Sequence, residues 1–341
     1  MTRGRDKTSI HRPFVAVLTL MLVGSDASPA LAYLKFGVTV NGRQTTLKWS
    51  SRPVRYRVSE QSVPGVSATQ FRDAVGRAFG TWQAVPTASI TYEFGGFTAA
   101  LASDEDGQST LGFDDRPELD RVLASTSLLV DDITGELVEA DIFFNSAFAW
   151  SVAANGEANH FDLETIALHE IGHFSGLGHS ALGETELTSS GRRVTSAEAV
   201  MFPIAFGAGN VANRTLRADD IAGISDLYPD GGFNDRTGSL SGRVTQGGQG
   251  LFGAHIVAFN PRTGQLIASF SLNEQGRFSI AGLTPGPHIV RIEPLDDADP
   301  ESFFDDSVPI ALDFRATLHP RLIVVPKGGD SGTVDVKVSP K

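Results

Sequence analysis

The chain lacks cysteine entirely, since none occurs among its 341 residues. A protein without thiols forms no disulfide, offers no thiolate ligand to a metal and has no cysteine nucleophile. Any demanding chemistry must therefore be carried by histidine, carboxylate or hydroxyl side chains, or by a metal ion that such side chains bind.

Positive charge is also scarce, because 28 Lys and Arg residues face 40 Asp and Glu residues, for a formal net charge of −12. Nucleic acids and anionic membranes are recognised through basic patches, so this balance argues against both as partners. We expect the negative charge mainly to keep the protein in solution, and we expect a monomer.

No long hydrophobic run is available to anchor the protein, because the apolar stretch at residues 14–23 is too short to span a bilayer. Four basic residues lie within the twelve residues at the N-terminus, and the small residues Ala30 and Ala32 follow the apolar stretch. This three-part pattern is typical of a secretory signal peptide. We expect residues 1–32 to be removed and the protein to be secreted, to a periplasm or the cell exterior; an uncleaved membrane anchor is the alternative.

The rest of the sequence divides into two parts. Ser67 and Gln70 form a capping-box pattern ahead of apolar residues at helical spacing up to Trp82, and strand patterns follow at Leu123–Val130 and Leu137–Phe144. These patterns predict an α+β domain over residues 33–231.

Beyond a linker at residues 232–237 the sequence changes character. Between residues 238 and 326 short alternating strands are broken by Gly and Pro, and no helical period appears. We predict a small all-β sandwich there. Residues 327–341 are expected to form a C-terminal tail, in which Val334–Val338 could be a last strand.

The most informative stretch runs from Asp162 to His179. Asp162 is a candidate N-cap for a helix on which His169 and His173, four residues apart, lie on one face one turn apart. Gly176 can adopt the left-handed conformation that ends a helix, and the resulting turn would bring His179 to the same ion.

Three neutral imidazoles and one water form the tetrahedral, open arrangement expected of catalytic zinc. The spacing therefore predicts His169, His173 and His179 as ligands of one Zn²⁺ ion, with Glu170 as the general base that takes a proton from the zinc-bound water. Three histidines buried for structural reasons alone are the alternative interpretation.

The residues around these histidines resemble the metzincin clan of metalloproteases and, within it, the matrixins. Ser180 follows the third histidine as in matrixins, and Ala199-Val200-Met201-Phe202-Pro203 looks like the matrixin Met-turn. Residues 219–228 are similar to the matrixin C-terminal helix, and residues 140–145 to a strand of its sheet.

The resemblance covers about residues 48–229. It implies a metzincin-like catalytic domain, a twisted mixed sheet plus helices with zinc at the active-site helix, and the activity of a secreted zinc-dependent endopeptidase. It also implies that Met201 lies beneath the metal as an apolar floor, although an ordinary core position is equally compatible with the sequence.

Some features depart from the family pattern. Without cysteine, a cysteine-capped latent form is excluded, and His160 is the only spare histidine of this domain, so we predict one zinc ion. The acidic segment 103–120 could bind Ca²⁺ through its oxygens, but a solvated acidic loop is the favoured interpretation.

The predicted sandwich resembles carboxypeptidase regulatory-like, transthyretin-like domains. Residues 241–244, 253–258 and 276–283 carry this resemblance. It implies a fold but no ligand. The scattered histidines His255, His288 and His319 are interpreted as structural or surface residues.

The expected substrate is an extended polypeptide that pairs with an edge strand near Val122–Thr126, beside a pocket walled by the segment between Ser180 and Pro203. One alternative is a non-catalytic zinc-containing binding or adhesion protein, against which the presence of Glu170 speaks. Another is a zinc hydrolase acting on cell-wall peptide or a small amide.

Overall fold

A computed structural model describes residues 17–23, 35–40, 42–131, 133–189, 191–304 and 310–341. The expected cleavage site around Ala30 and Ala32 lies outside these residues, so the signal peptide remains a prediction. Among the described residues no helix is both long and apolar enough to cross a membrane.

The N-terminal two thirds of the chain contain both strands and helices. The strands are β1 (Val17–Val23), β2 (Gly37–Val40), β3 (Arg43–Thr46), β4 (Val54–Ser59), β5 (Tyr92–Thr98), β6 (Thr110–Asp114), β7 (Val122–Val130), β8 (Leu137–Asn145), β9 (Trp150–Ser151), β10 (Phe161–Asp162), β11 (Gly183–Thr188) and β12 (Gly191–Ala197). The helices are α1 (Ala68–Gln83), α2 (Leu163–Phe174), α3 (Ala218–Leu227) and the short α4 (Phe233–Arg236).

Six of these strands form one mixed sheet in the order β1-β7-β8-β6-β4-β5. Strand β7 is antiparallel to β8, whereas the other neighbouring pairs are parallel. Helix α1 contacts β4 and β5, helix α2 contacts β7 and β8, and the two helices pack against each other. This mixed α+β arrangement is the one predicted for the first domain.

Helix α1 begins where the sequence predicts. The Ser67 hydroxyl accepts a hydrogen bond from the Gln70 amide, and the Gln70 side chain accepts one from the Ser67 amide, which confirms the capping box. The apolar stripe is buried, and the Trp82 indole donates a 2.8 Å hydrogen bond to the carbonyl of Leu168. Helix α1 is thereby attached to α2, the helix that carries two of the predicted ligands.

Residues 238–338, referred to below as the C-terminal β region, form two further sheets. The strands are β13 (Gly238–Gln246), β14 (Gln249–Gly250), β15 (His255–Phe259), β16 (Leu266–Phe270), β17 (Arg277–Leu283), β18 (Gly286–Glu293), β19 (Thr317–Leu318), β20 (Ile323–Val325) and β21 (Asp330–Val338). One sheet contains β13, β14, β17 and β21, and the other β15, β16, β18, β19 and β20. The last strand, expected at Val334–Val338, is longer than expected and pairs in parallel with β13.

The C-terminal β region shares hydrophobic clusters with the first part of the chain. Leu182 and Ala199 pack with Val257 and Ala268 in one such cluster. The carboxylate of Asp219 in α3 accepts a 2.8 Å hydrogen bond from the Ala268 amide. The two parts therefore meet through a buried interface, which the sequence patterns did not predict.

The outer edge of β7 is paired with β1. Strand β1, which belongs to the predicted signal peptide, runs parallel to β7, with Val17 opposite Val122 and Val23 opposite Leu129. This is the edge that the sequence analysis assigned to substrate. Removal of residues 1–32, if the signal-peptide prediction holds, would leave this edge of β7 unpaired.

Candidate metal centre

Helix α2 is held at its N-terminus by the predicted cap. The carboxylate of Asp162 accepts a 2.9 Å hydrogen bond from the Thr165 amide and forms a salt bridge with Arg214. The sequence predicts one buried face, but α2 is buried on nearly all sides, including Ile166 and Leu168. The physical reason is that α2 lies between β7, β8 and α1 and is also contacted by the segment around Met201.

The structure brings the three predicted ligands together. The Nε2 atoms of His169 and His173 are 3.0 Å apart, and those of His173 and His179 are 3.1 Å apart. Within the described ranges, these three buried residues are the one group of three or more His, Cys, Asp or Glu side chains close enough together to hold a metal ion.

Gly176 makes this convergence possible. Its φ of 99° lies in the left-handed region, as the sequence analysis expected, and the chain turns there after α2 ends. A Cβ at this position would lie 2.6 Å from the carbonyl oxygen of Leu47. Both the backbone conformation and the space therefore require glycine.

Each imidazole is oriented by a backbone carbonyl. His169 Nδ1 donates to Val200 O at 2.8 Å, His173 Nδ1 to Leu177 O at 2.8 Å, and His179 Nδ1 to Ser302 O at 2.5 Å. With the proton held on Nδ1, each Nε2 presents its lone pair, which is the form in which histidine binds metals.

The electrostatic environment keeps these rings neutral. Burial lowers the pKa of His169 to about 3 and that of His179 to about 4. It lowers the pKa of His173 well below its ordinary value, with the two neighbouring imidazoles adding to the effect. The site is therefore poised to bind a cation through nitrogen lone pairs at neutral pH.

The donor set fits a zinc ion. Catalytic zinc takes three protein ligands in tetrahedral directions at about 2.0–2.1 Å, which places the ligand atoms about 3.3 Å apart. The observed spacings of 3.0 and 3.1 Å are close to this value. Small rotations of the imidazole rings are enough to close the difference.

Glu170 lies between the first two histidines in sequence and is completely buried. Its Oε2 accepts a 2.6 Å hydrogen bond from the Thr126 hydroxyl on β7, while its Oε1 has no hydrogen-bond partner among the described residues. Burial raises the pKa of Glu170 to about 8, against the Thr126 hydrogen bond, which lowers it. A carboxylate with one fixed and one unpartnered oxygen is suited to accept a proton.

The sequence analysis missed Thr126 as a partner of Glu170. The signal available was a hydroxyl two residues from both Ala124 and Leu128, on the same face of β7 as these buried residues. This spacing indicates the face on which Thr126 lies, but it does not show which side chain the hydroxyl meets.

The residue expected beneath the metal, Met201, packs against α2 at Gly172. A Cβ on Gly172 would lie 2.9 Å from Met201 Cε and closer still to its sulfur, so glycine gives the methionine room. The carboxylate of Asp220 accepts hydrogen bonds from the amides of Val200 at 2.9 Å, Met201 at 3.2 Å and Arg217 at 2.8 Å. Asp220 therefore fixes the turn whose Val200 carbonyl orients His169.

The acidic segment 103–120, which was considered for calcium binding, contacts strand β8 through hydrogen bonds to Glu139 and Asp141. Glu139 and Asp141 are buried there, and Asp141 accepts a 2.7 Å hydrogen bond from the Thr110 amide. Burial, together with the charges of Glu139, Asp106 and Asp104, raises the pKa of Asp141 to about 7.

The spare histidine, His160, is not part of the group formed by His169, His173 and His179. Its Nδ1 lies 3.0 Å from the carbonyl oxygen of Ala158.

The segment between Ser180 and Pro203, expected to wall a substrate pocket, contains the antiparallel hairpin β11–β12. This hairpin and its flanks pack on the C-terminal β region through Ala181, Ala197 and Phe202, which share a cluster with Phe270 and Phe303. The sequence analysis assigned this segment to the wall of a substrate pocket but did not predict the hairpin.

Comparison with known proteins identifies a peptidase family for the part of the chain that carries these histidines. The Matrixin peptidase family matches residues 48–229. Matrix metalloproteinase-20 of Homo sapiens is 29% identical over 184 residues, which are 53% of this chain and 32% of that protein. Metalloendoproteinase 4-MMP of Arabidopsis thaliana is 28% identical over 177 residues, 51% of this chain and 44% of that protein.

The chain thus spans less than half the length of either relative. Among solved structures, a chain of the Bacillus anthracis TIE protein aligns with 31% of this chain and 17% of its own length at 15% identity, and its TM-score of 0.19 supports no conclusion about the fold. The family match covers more than half of the chain and includes all three histidines and Glu170. The chain belongs to the Matrixin family.

Proposed function

We propose that the protein is a zinc-dependent endopeptidase in which His169, His173 and His179 hold the metal and Glu170 is the general base. One observation carries the proposal: three buried, neutral imidazoles converge, and the helix that carries two of them also carries the buried carboxylate of Glu170, one oxygen of which has no hydrogen-bond partner among the described residues. Family membership and the names of the relatives, a matrix metalloproteinase and a metalloendoproteinase, support the same activity.

The chemistry divides between the metal and the chain. Zinc, when bound, supplies Lewis acidity, which acidifies water and polarises a carbonyl group. Glu170 Oε1 accepts the proton from the attacking water and later delivers it to the leaving amine. Thr126 holds the other oxygen of Glu170, so that the proton is transferred at one defined atom.

The proposed substrate is a polypeptide in extended conformation. Strand β7 carries Thr126 toward the site, and its outer edge would be open to a substrate strand once residues 1–32 are removed. Main-chain hydrogen bonds along such an edge bind peptides with little demand on their sequence. Secretion through a signal peptide, the domain boundaries at 33–231 and 238–326, and a carboxypeptidase regulatory-like sandwich belong to the same proposal.

The test is cleavage of an unfolded protein by the processed enzyme reconstituted with one equivalent of zinc. Glu170→Gln, loaded with the same amount of zinc, removes the base and keeps the shape of the side chain. We expect a loss of about 10²–10⁴-fold in kcat/KM for this variant and complete loss on chelation. A wild-type protein that holds zinc but cleaves no unfolded protein would contradict the proposal and favour a binding protein.

A further inference from the structure

One segment of the C-terminal β region reaches the metal centre. It comprises residues 295–304, which follow β18 and include a 3-10 helix at Pro300–Ser302. Its contact with the third histidine spans 123 residues of sequence. The first and second histidines, by contrast, are oriented by carbonyls at most 31 residues away.

Two contacts join this segment to His179. The carbonyl of Ser302 accepts the hydrogen bond from His179 Nδ1, and the ring of Phe303 lies 6.1 Å from the imidazole at an interplanar angle of 74°. Phe303 is 6% exposed and also packs on Phe270 of β16, at 5.6 Å between ring centroids. The imidazole of His179 is therefore confined by both a hydrogen bond and an apolar wall.

The same segment is tied to the hairpin that follows His179. The Thr185 hydroxyl donates a 2.6 Å hydrogen bond to the Asp297 carbonyl, and Arg192 donates one of 2.8 Å to the Asp296 carbonyl. Arg192 also forms a salt bridge with Asp299. Because the hairpin holds the segment from one side and Phe270 holds it from the other, the Ser302 carbonyl has a fixed position.

We propose that residues 295–304 position the third metal ligand, so that the C-terminal β region is an integral part of the metal centre. Partners of the second ring nitrogen set the tautomer and the direction of a ligating histidine, and their loss commonly costs 10–100-fold in metal affinity. Ser302 supplies that partner through its backbone, and Phe303 keeps the imidazole against it. This inference rests on the proposed zinc ligands.

The experiment compares Phe303→Ala with Phe278→Ala in the full chain. Both are buried aromatic residues of the C-terminal β region, 6% and 5% exposed. Phe278 lies on β17, outside residues 295–304 and in a different hydrophobic cluster from Phe303. Phe278→Ala therefore controls for the loss of a buried aromatic ring that does not contact His179.

Zinc affinity is measured by competition with a chelator, and the visible absorption spectrum of the cobalt-substituted protein reports the ligand geometry. We expect Phe303→Ala to weaken zinc binding about 10-fold or more and to change the cobalt spectrum. Phe278→Ala should keep both, and Phe303→Leu, which restores an apolar wall, should recover most of the affinity.

A second variant avoids the aromatic cluster altogether. Thr185→Val removes the hydrogen bond to the Asp297 carbonyl, and Thr195→Val, which removes a hydrogen bond to Glu184 within the hairpin, is its control. We expect weaker zinc binding for Thr185→Val than for Thr195→Val. If Phe303→Ala unfolds, this pair decides the question.

The outcomes separate the two proposals. Equal zinc affinities and spectra in Phe303→Ala and Phe278→Ala, whether both unchanged or both reduced, would overturn the positioning role of residues 295–304. A wild-type protein that binds no zinc would instead contradict the proposed metal site itself.

Discussion

The hydroxyl of Thr126 donates a 2.6 Å hydrogen bond to Oε2 of Glu170, and it does so from the strand that lies along the proposed substrate edge. The proposed general base is therefore held by the same strand that would bind the peptide. This one contact would fix the position of the Glu170 carboxylate on α2 relative to a substrate strand bound along β7.

Removing this hydroxyl should slow the chemistry without loosening the metal. We expect Thr126→Val to reduce kcat roughly 10-fold with little change in KM, because Glu170 loses the contact that fixes its orientation. Thr126→Ser keeps a donor at the same place and should stay close to wild type. Steady-state kinetics at matched zinc content provide the test, and a Thr126→Val variant with unchanged kcat would show that the contact is dispensable.

Gly176 should be among the positions least tolerant of substitution. Gly176→Ala adds a Cβ 2.6 Å from the Leu47 carbonyl oxygen in a left-handed residue, so we expect a loss of about 2–4 kcal/mol in the free energy of unfolding. The control is Gly80→Ala in α1, where no heavy atom lies within 4 Å of the new Cβ. That substitution should stabilise the protein by about 0.5–1 kcal/mol. Denaturant unfolding of the metal-free proteins measures both, and a neutral Gly176→Ala would contradict the steric argument.

The local part of the candidate metal centre was predictable from sequence because its geometry is set by spacing along one helix and one turn. Asp162, His169, His173 and Gly176 act within fifteen residues, and the structure places each as the helical period and the glycine predict. Strands β7 and β8 were predictable for a similar reason, since each is a run of consecutive residues on either side of a short turn.

The distant contacts were not predictable, because they carry no local pattern. Ser302 acts through its carbonyl oxygen, which every residue possesses, and it lies 123 residues from His179. Nothing in the sequence distinguishes Phe303 from other aromatic residues that are buried in the core. The pattern of the C-terminal β region indicated strands but gave no sign that the loop after β18 reaches the metal centre.

The stability of the protein should depend on pH through Asp141. Its pKa is about 7 in the folded protein, above the ordinary value of 3.8, so between about pH 4 and 7 the folded chain retains a proton that the unfolded chain releases. The free energy of unfolding therefore decreases as the pH rises through this window and levels off above it.

Asp141→Asn removes this titration and keeps an oxygen for the Thr110 amide. We expect the variant to show a flatter pH dependence and to be more stable than wild type at pH 8, by on the order of 2–4 kcal/mol. Thermal or denaturant unfolding at pH 4, 6 and 8 tests this. Parallel pH profiles for the two proteins would contradict the role of Asp141, and a gain in wild-type stability on adding Ca²⁺ at pH 8 would support calcium binding near this carboxylate.

Asp219 and Asp220 are adjacent in α3, yet the structure predicts different consequences for their substitution. Asp220 holds the amides of Val200 and Met201, and the Val200 carbonyl orients His169, whereas Asp219 holds the Ala268 amide of the C-terminal β region. Both carboxylate oxygens of Asp220 accept hydrogen bonds from backbone N–H groups. In Asp220→Asn an NH₂ group replaces one of these oxygens, so it faces an N–H donor and that hydrogen bond is lost.

We therefore expect Asp220→Asn to cost about 1.5–3 kcal/mol of folding free energy and to weaken zinc binding about 10-fold. Asp219→Asn should destabilise the protein without changing zinc affinity to a similar extent. Both are measured at pH 8, because burial raises the pKa of Asp220 to about 6 and of Asp219 to about 7, and both carboxylates are mainly ionised at this pH. If Asp220→Asn loses stability but binds zinc as tightly as wild type, then His169 keeps its orientation without the turn at Val200, and the contact with that carbonyl is not what directs the ring.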